Sequence, residues 1–160
     1  MPKVVVIYDS QSGNTEKMAK AVAEGASSVE GVQSELHKVG TPFPVSILDK
    51  ADAIVVGSPS IYGLPTSEMR AFLDSAKELK ATKKLKLKDK IGGVFGSYAW
   101  DGGYVVDRLG EVMKTLGVKL VPQIVSAVDH RGLMQTRIDE ESLQKCRDLG
   151  RAVAEELVRA

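Results

Sequence analysis

Short runs of consecutive apolar residues alternate along the chain with segments in which apolar residues recur every three or four positions. The continuous runs are rich in β-branched residues, which is typical of parallel strands buried on both faces. The spaced segments are typical of helices that bury one face. This pattern predicts an α/β fold with a parallel sheet covered on both sides. Predicted strands lie at 4–8, 33–38, 53–57, 91–96 and 118–128, the last bent at Pro122, and helices begin near Thr15, after Pro65, at Val105 and at Glu140.

Length and composition fit a single domain covering residues 1–160. A chain of 160 residues that is 43% hydrophobic can build one core but not two. No apolar run approaches the roughly 18 residues of a membrane span, and the N-terminus lacks the features of a signal peptide. The single cysteine, Cys146, excludes an internal disulfide and an iron–sulfur ligand set. We therefore expect a cytoplasmic protein.

The most informative polar segment joins the first strand to the first helix. It consists of Ser10-Gln11-Ser12-Gly13-Asn14-Thr15. A strand-to-helix turn of this kind points backbone N–H groups and the positive end of a helix dipole at one place, which suits a phosphate. The loop contains hydroxyls and an amide but no Lys or Arg, so it fits a phosphate monoester better than a metal-bound triphosphate. The alternative is a polar turn that only caps the helix.

Other phosphate-binding motifs are excluded by residue type. A Walker loop needs a Lys followed by Ser or Thr after its second glycine, and the dinucleotide fingerprint needs three spaced glycines where this turn has only Gly13. A cysteine-dependent phosphatase would place its nucleophile in the loop, whereas Cys146 lies near the C-terminus. A receiver domain would have an Asp at the end of the third strand, where this chain has Gly57 and Ser58.

Two further loops follow strands in the same way. Ser58-Pro59-Ser60-Ile61-Tyr62-Gly63 follows the third strand, and Ser97-Tyr98-Ala99-Trp100-Asp101-Gly102 follows the fourth. The three loops in this order resemble those of the flavodoxin family, and the third is most similar to the flavodoxin domain of flavodiiron proteins. The resemblance implies a three-layer α/β/α sandwich whose five-stranded parallel sheet has the order 2-1-3-4-5. In such sheets the ligand lies at the carboxyl ends of the strands where the winding reverses, a rule for which flavodoxin with FMN is itself a standard example.

The resemblance also implies a function. The residues of the three loops would hold FMN non-covalently, with no catalytic residue of their own, and the protein would carry electrons between redox partner proteins. A backbone carbonyl within residues 61–63 would accept a hydrogen bond from the flavin N5. An alternative on the same fold is an FMN-dependent NAD(P)H:quinone or flavin reductase, which would need a second pocket over the flavin. A third interpretation is a module that docks a partner without any cofactor.

Aromatic residues are scarce in the chain but concentrated in two of these loops. Only 5% of the residues are aromatic, and Tyr62, Tyr98 and Trp100 all follow the third or fourth strand. A flat tricyclic ring system favours flat partners, so these side chains are candidates for contact with a flavin ring. The alternative is that they cover a small core within the loops.

The remaining polar features carry less chemistry. His37 and His130 are far apart and have no cluster of carboxylates beside them, so we expect no metal site. The segment Lys77–Lys90 carries seven lysines against two acidic residues, which is typical of a solvated helix end and loop, with a partner-binding patch as the alternative. The net charge of +1 and the lack of interleaved aromatics argue against nucleic-acid binding.

Overall fold

The computed structural model describes residues 1–129 and 138–159, and within them strands alternate with helices from end to end. The sheet has the strand order β2-β1-β3-β4-β5, and neighbouring strands pair in parallel. This confirms the α/β fold and the strand order 2-1-3-4-5. The elements are β1 (Lys3–Tyr8), α1 (Asn14–Ser27), β2 (Gln33–Lys38), α2 (Ile47–Lys50), β3 (Ala53–Pro59), α3 (Ser67–Ala81), β4 (Ile91–Tyr98), α4 (Val105–Thr115), β5 (Lys119–Val128) and α5 (Glu140–Arg159).

The hydrophobic core lies in two layers, one on each face of the sheet. Alternate residues of β1 point to opposite faces, so Val4 and Val6 pack against α1 and α5 while Val5 and Ile7 pack against α2, α3 and α4. Every residue of β3 is buried, which is why the central strands are continuous apolar runs rather than alternating ones.

The two helices of one layer, α1 and α5, cross at very short distance. A Cβ atom built on Gly150 would lie 1.9 Å from the carbonyl oxygen of Val22, and one built on Gly25 would lie 1.9 Å from the carbonyl oxygen of Arg147. Only glycine fits at these two crossing points, because each helix meets the backbone of the other. Cys146 is fully buried beside the crossing.

The edge strand β5 is one element rather than two. Its pairing with β4 shifts register, since Gly92 lies opposite Leu120 whereas Val94 lies opposite Ile124. The extra residues form a bulge around Pro122, which has no N–H to donate and is tolerated at such a position. The predicted bend at Pro122 therefore lies within a continuous strand.

The direction of the strands decides where a ligand can bind. The chain leaves β1 toward β2 on one side and returns to β3 on the other, so the winding reverses between β1 and β3. The loops that leave these strands diverge there and open a crevice at the carboxyl edge. In residues 1–129 and 138–159, no helix is both long and apolar enough to cross a membrane.

Candidate functional site

Three loops converge at the carboxyl edge of the sheet and surround an open cavity of about 180 Å³. The cavity is lined by Asp129 and by nine of the loop residues predicted from the sequence. The nine are Gln11, Pro59, Ser60, Ile61, Tyr62, Ser97, Tyr98, Ala99 and Trp100.

The loop after β1 has the geometry of an anion site. Gly13 adopts a left-handed conformation with φ 91° immediately before α1, a backbone geometry that favours glycine. The Ser10 hydroxyl oxygen accepts hydrogen bonds from the N–H groups of Gly13 at 3.1 Å and Glu16 at 3.2 Å. The N–H groups of Asn14 and Thr15 make no hydrogen bond to another described residue. Donors at a helix N-terminus are therefore available to a phosphate.

Thr15 ties this loop to the end of β4. Its hydroxyl lies 2.8 Å from the hydroxyl of Ser97, and both side chains are buried. Because the two oxygens can share only one proton between them, the other hydroxyl hydrogen can point elsewhere. The pair therefore places an uncharged hydroxyl donor at the start of α1.

Asp129 is a site residue that the sequence reasoning missed. It follows β5 directly and is 4% exposed. Its carboxylate accepts from the Asn14 amide at 2.7 Å and from the Ser12 hydroxyl at 3.3 Å, and its N–H donates to the carbonyl of Tyr98. The carboxylate thus orients two polar side chains of the loop after β1. Its position after the last strand, at the same edge as the three loops, was the signal that could have found it.

A second buried carboxylate, Asp9, fixes the base of the loops. It accepts from the Ser10 N–H at 2.8 Å and from the Thr66 hydroxyl at 2.6 Å. Thr66 in turn caps α3 by accepting from Met69, and its own N–H donates to the Ser58 hydroxyl. Ser58 is fully buried in this network and does not line the cavity.

The loop after β3 ends in a tight turn. Ile61 and Leu64 exchange two backbone hydrogen bonds across Tyr62 and Gly63, whose φ angles are 53° and 85°. Positive φ at both central residues is the signature of a type I′ turn. The turn presents the Tyr62 ring to solvent, where it is 90% exposed.

The aromatic side chains of the cavity differ in burial. Tyr98 ends β4 and is half-buried against the cavity wall, whereas Trp100 is 86% exposed. Both line the cavity together with Tyr62. The alternative, that these rings cover a small core within the loops, does not hold for Tyr62 and Trp100, since both remain largely in solvent.

The charged groups near the site are mostly carboxylates. The Tyr8 hydroxyl donates to Glu16 at 2.9 Å, and burial together with that carboxylate raises the pKa of Tyr8 to about 12. The lysine-rich segment lies at the opposite edge of the sheet, where α3 ends and β4 begins. There the Lys90 ammonium donates to the carbonyls of Leu48, Asp49 and Ala51, and burial lowers the pKa of Lys90.

His37 does not belong to the site. His37 lies on the edge strand β2, where its Nε2 is 3.2 Å from Glu35 and its ring contacts Phe43. His130 lies outside the described residues. Among the residues that are described, no group of three or more His, Cys, Asp or Glu side chains could hold a metal ion.

Known proteins match the chain over nearly its whole length. The sequence model of the family described as Flavodoxin matches residues 6–149. A flavodoxin from Aquifex aeolicus is 33% identical over 166 aligned positions, which cover 97% of this chain and 86% of the relative. A solved flavodoxin from the domain Archaea has a TM-score of 0.81 at 29% identity and covers 98% of this chain and 99% of its own. Rubredoxin oxygen:oxidoreductase from Desulfovibrio gigas has a TM-score of 0.79 at 26% identity, over 98% of this chain but 36% of the larger protein.

Proposed function

This chain belongs to the flavodoxin family and is an FMN-binding electron-transfer protein, and we propose that the loops after β1, β3 and β4 form its FMN site within a single domain covering residues 1–160. The bound flavin supplies the redox chemistry, while the protein supplies binding, orientation and electrostatics. The observation that carries the proposal is the convergence of the three loops on one cavity.

At the phosphate end, the N–H groups of Asn14 and Thr15 and the hydroxyls of Ser10 and Thr15 would hold the phosphate monoester. The Ser12 hydroxyl would join them by turning from Asp129 to the phosphate. The proposal is supported by the position of these donors at the start of α1. Hydrogen bonds to a charged group are the stronger ones, so a loop without lysine or arginine can still bind a dianion tightly. Ser58, whose hydroxyl is engaged with Pro59 and Thr66, would act by shaping the loop.

At the ring end, Tyr98 is the best-placed partner for the flavin ring because it is half-buried in the cavity wall. Tyr62 and Trp100 lie at the rim and are exposed, so each could cover the ring from outside. An exposed aromatic rim also places the cofactor edge where a redox partner protein can approach. Family membership implies such partners in general.

Purification and anaerobic reduction test the proposal. The protein should copurify with a yellow, acid-extractable FMN, or bind added FMN with quenching of its fluorescence. Mixing the FMN-loaded protein with NADH or NADPH without oxygen should leave the flavin colour unchanged, while a protein or chemical electron donor should bleach it. Rapid bleaching by NAD(P)H would favour the reductase alternative, and a colourless protein that does not bind FMN would contradict both. The cytoplasmic location stays a prediction, to be checked by cell fractionation.

A further inference from the structure

Asp101 joins the two loops that form the ring end of the cavity. One of its carboxylate oxygens, Oδ2, accepts from the Ser60 hydroxyl at 2.5 Å and from the Gly63 N–H at 3.3 Å. The Ser60 hydroxyl oxygen also accepts from the Gly63 N–H, at 3.0 Å. The Ser60 N–H donates to the carbonyl of Ser97 at 2.8 Å. The loop after β3 is thus bound to the loop after β4 through one carboxylate and one backbone contact.

The carboxylate also has a rigid anchor on its other side. Its Oδ1 accepts from the Gly103 N–H at 3.2 Å, and the Gly103 carbonyl accepts from the Ser126 hydroxyl at 3.1 Å. A Cβ on Gly103 would lie 2.4 Å from that hydroxyl oxygen, so the segment lies closely against β5. Asp101 therefore transmits the position of β5 to the turn at 61–64.

The turn needs such support. Tyr62 has a φ of 53°, a backbone conformation that residues other than glycine, asparagine and aspartate rarely adopt. The hydrogen bonds from Gly63 to Ser60 and Asp101 direct the N–H of the Tyr62–Gly63 peptide toward the loop after β4. Because the peptide is trans, its carbonyl points the opposite way. One peptide of the turn is thus held in a single orientation by Ser60 and Asp101.

We propose that Asp101 is a positioning residue that holds the 61–64 turn in the conformation able to receive the flavin ring. The inference rests on the proposed FMN site. Asp101 does not line the cavity, and it acts through Ser60 and Gly63 rather than by touching the flavin. Without this carboxylate, only a fraction of the molecules have the turn in this conformation, and the apparent affinity for flavin falls in proportion to that fraction.

Titration of flavin-free protein with FMN and with riboflavin tests the assignment. Asp101→Ala should weaken both ligands by about tenfold or more, which corresponds to the loss of a hydrogen bond to a charged group. The ratio of the two affinities should stay unchanged, because the turn belongs to the loop after β3, whereas the proposed phosphate donors belong to the loop after β1. Asp101→Asn keeps one acceptor oxygen and should lose less. The matched control is Asp107→Ala, which removes an exposed aspartate from the first turn of α4 and should bind both ligands like the wild type.

Ser60→Ala supplies an independent variant in the same network. Its effect should not add to that of Asp101→Ala, since both changes release the same turn. Hydrogen exchange at the Gly63 amide gives a readout that does not depend on flavin. Exchange should speed up at least tenfold in Asp101→Ala, in flavin-free as in loaded protein, and remain unchanged in Asp107→Ala.

Three results would overturn the assignment. These are unchanged affinity with unchanged Gly63 exchange, a loss confined to FMN, and full additivity of the Ser60 and Asp101 variants. Failure of the proposed FMN site looks different, because the wild-type protein itself would then bind neither flavin.

Discussion

Replacing Gly150 with alanine tests the short crossing between α1 and α5 most directly. The new Cβ would lie 1.9 Å from the Val22 carbonyl oxygen and 2.9 Å from the Ala26 nitrogen. Both are backbone atoms of α1, so no side chain can rotate away. The helices would have to separate by about 1 Å or more, at the expense of the packing of this core layer, in which Leu149 and Val153 of α5 are fully buried next to Gly93 of β4.

Two opposing effects of Gly150→Ala set the size of the change in the free energy of unfolding. Alanine in a helix interior is better than glycine by about 0.5–1 kcal/mol. Overpacking a well-filled core costs about 1–3 kcal/mol, and the rigid obstacle argues for the upper end. We therefore expect Gly150→Ala to lower the free energy of unfolding by about 2 kcal/mol, equivalent to a fall in Tm of roughly 4–8 °C for a chain of this size.

Gly110→Ala is the matched control. Gly110 lies within α4, and its added Cβ would meet only the Leu120 Cδ1 atom, at an ordinary 3.6 Å. The helix-propensity gain should appear there without the clash, so this variant should be more stable than wild type by about 0.5–1 kcal/mol. Urea unfolding of the flavin-free proteins, followed by circular dichroism, measures both changes. If Gly150→Ala were as stable as Gly110→Ala, the close helix crossing would not exist in solution.

Four further outcomes are expected. Ser12→Ala should weaken the binding of FMN about tenfold to a hundredfold and leave the binding of riboflavin nearly unchanged, because a hydroxyl bonded to a dianion is lost. Fluorescence quenching measures both affinities. Equal losses for the two flavins would place the side chain away from the phosphate. Tyr98→Ala should shift the reduction potential of the bound flavin to more positive values by tens of millivolts in a spectroscopic titration, since an electron-rich aromatic face disfavours added negative charge. For one electron, about 59 mV corresponds to a tenfold change in the equilibrium. An unchanged potential would mean that the ring does not contact the flavin. The Cys146 thiol, whose pKa burial raises to about 12, should resist thiol reagents at pH 8 until the protein is unfolded in urea, and rapid labelling of the native protein would contradict its buried position. In the folded protein the pKa of Tyr8 is about 12, against an ordinary 10.0. The contribution of this shift to stability should therefore be complete below pH 10 and lost between pH 10 and 12. Tyr8→Phe should remove this part of the pH dependence of the free energy of unfolding.

The succession of the five strands and of the four longer helices along the chain could be predicted because it rests on local periodicity. Buried parallel strands must be apolar on both faces, so the runs that form β1 and β3 stand out in the sequence. The loop from Ser10 to Thr15 could be found for the same reason, since a strand, a glycine-containing polar turn and a helix follow one another between Lys3 and Ser27.

Contacts between distant segments could not be found in this way. Asp129 meets Asn14 across 115 positions, and Thr66 meets Asp9 across 57. A lone aspartate after a strand or a lone threonine before a helix has no pattern that marks its partner. Which carboxylate meets which loop depends on the order of strands in the sheet and on the register of β5, neither of which is a local property.

The sequence by itself determined that this protein is a parallel α/β fold with a polar, glycine-containing turn between its first strand and first helix, because hydrophobic period and turn chemistry act over a few neighbouring residues. Only the tertiary structure decided that Tyr98 is half-buried in the cavity wall while Trp100 and Tyr62 line the cavity from exposed positions, and that Asp101 is engaged with Ser60 and Gly63. Side-chain direction in a loop follows from the hydrogen bonds that hold its backbone. Those bonds form only when strands far apart in the chain lie side by side.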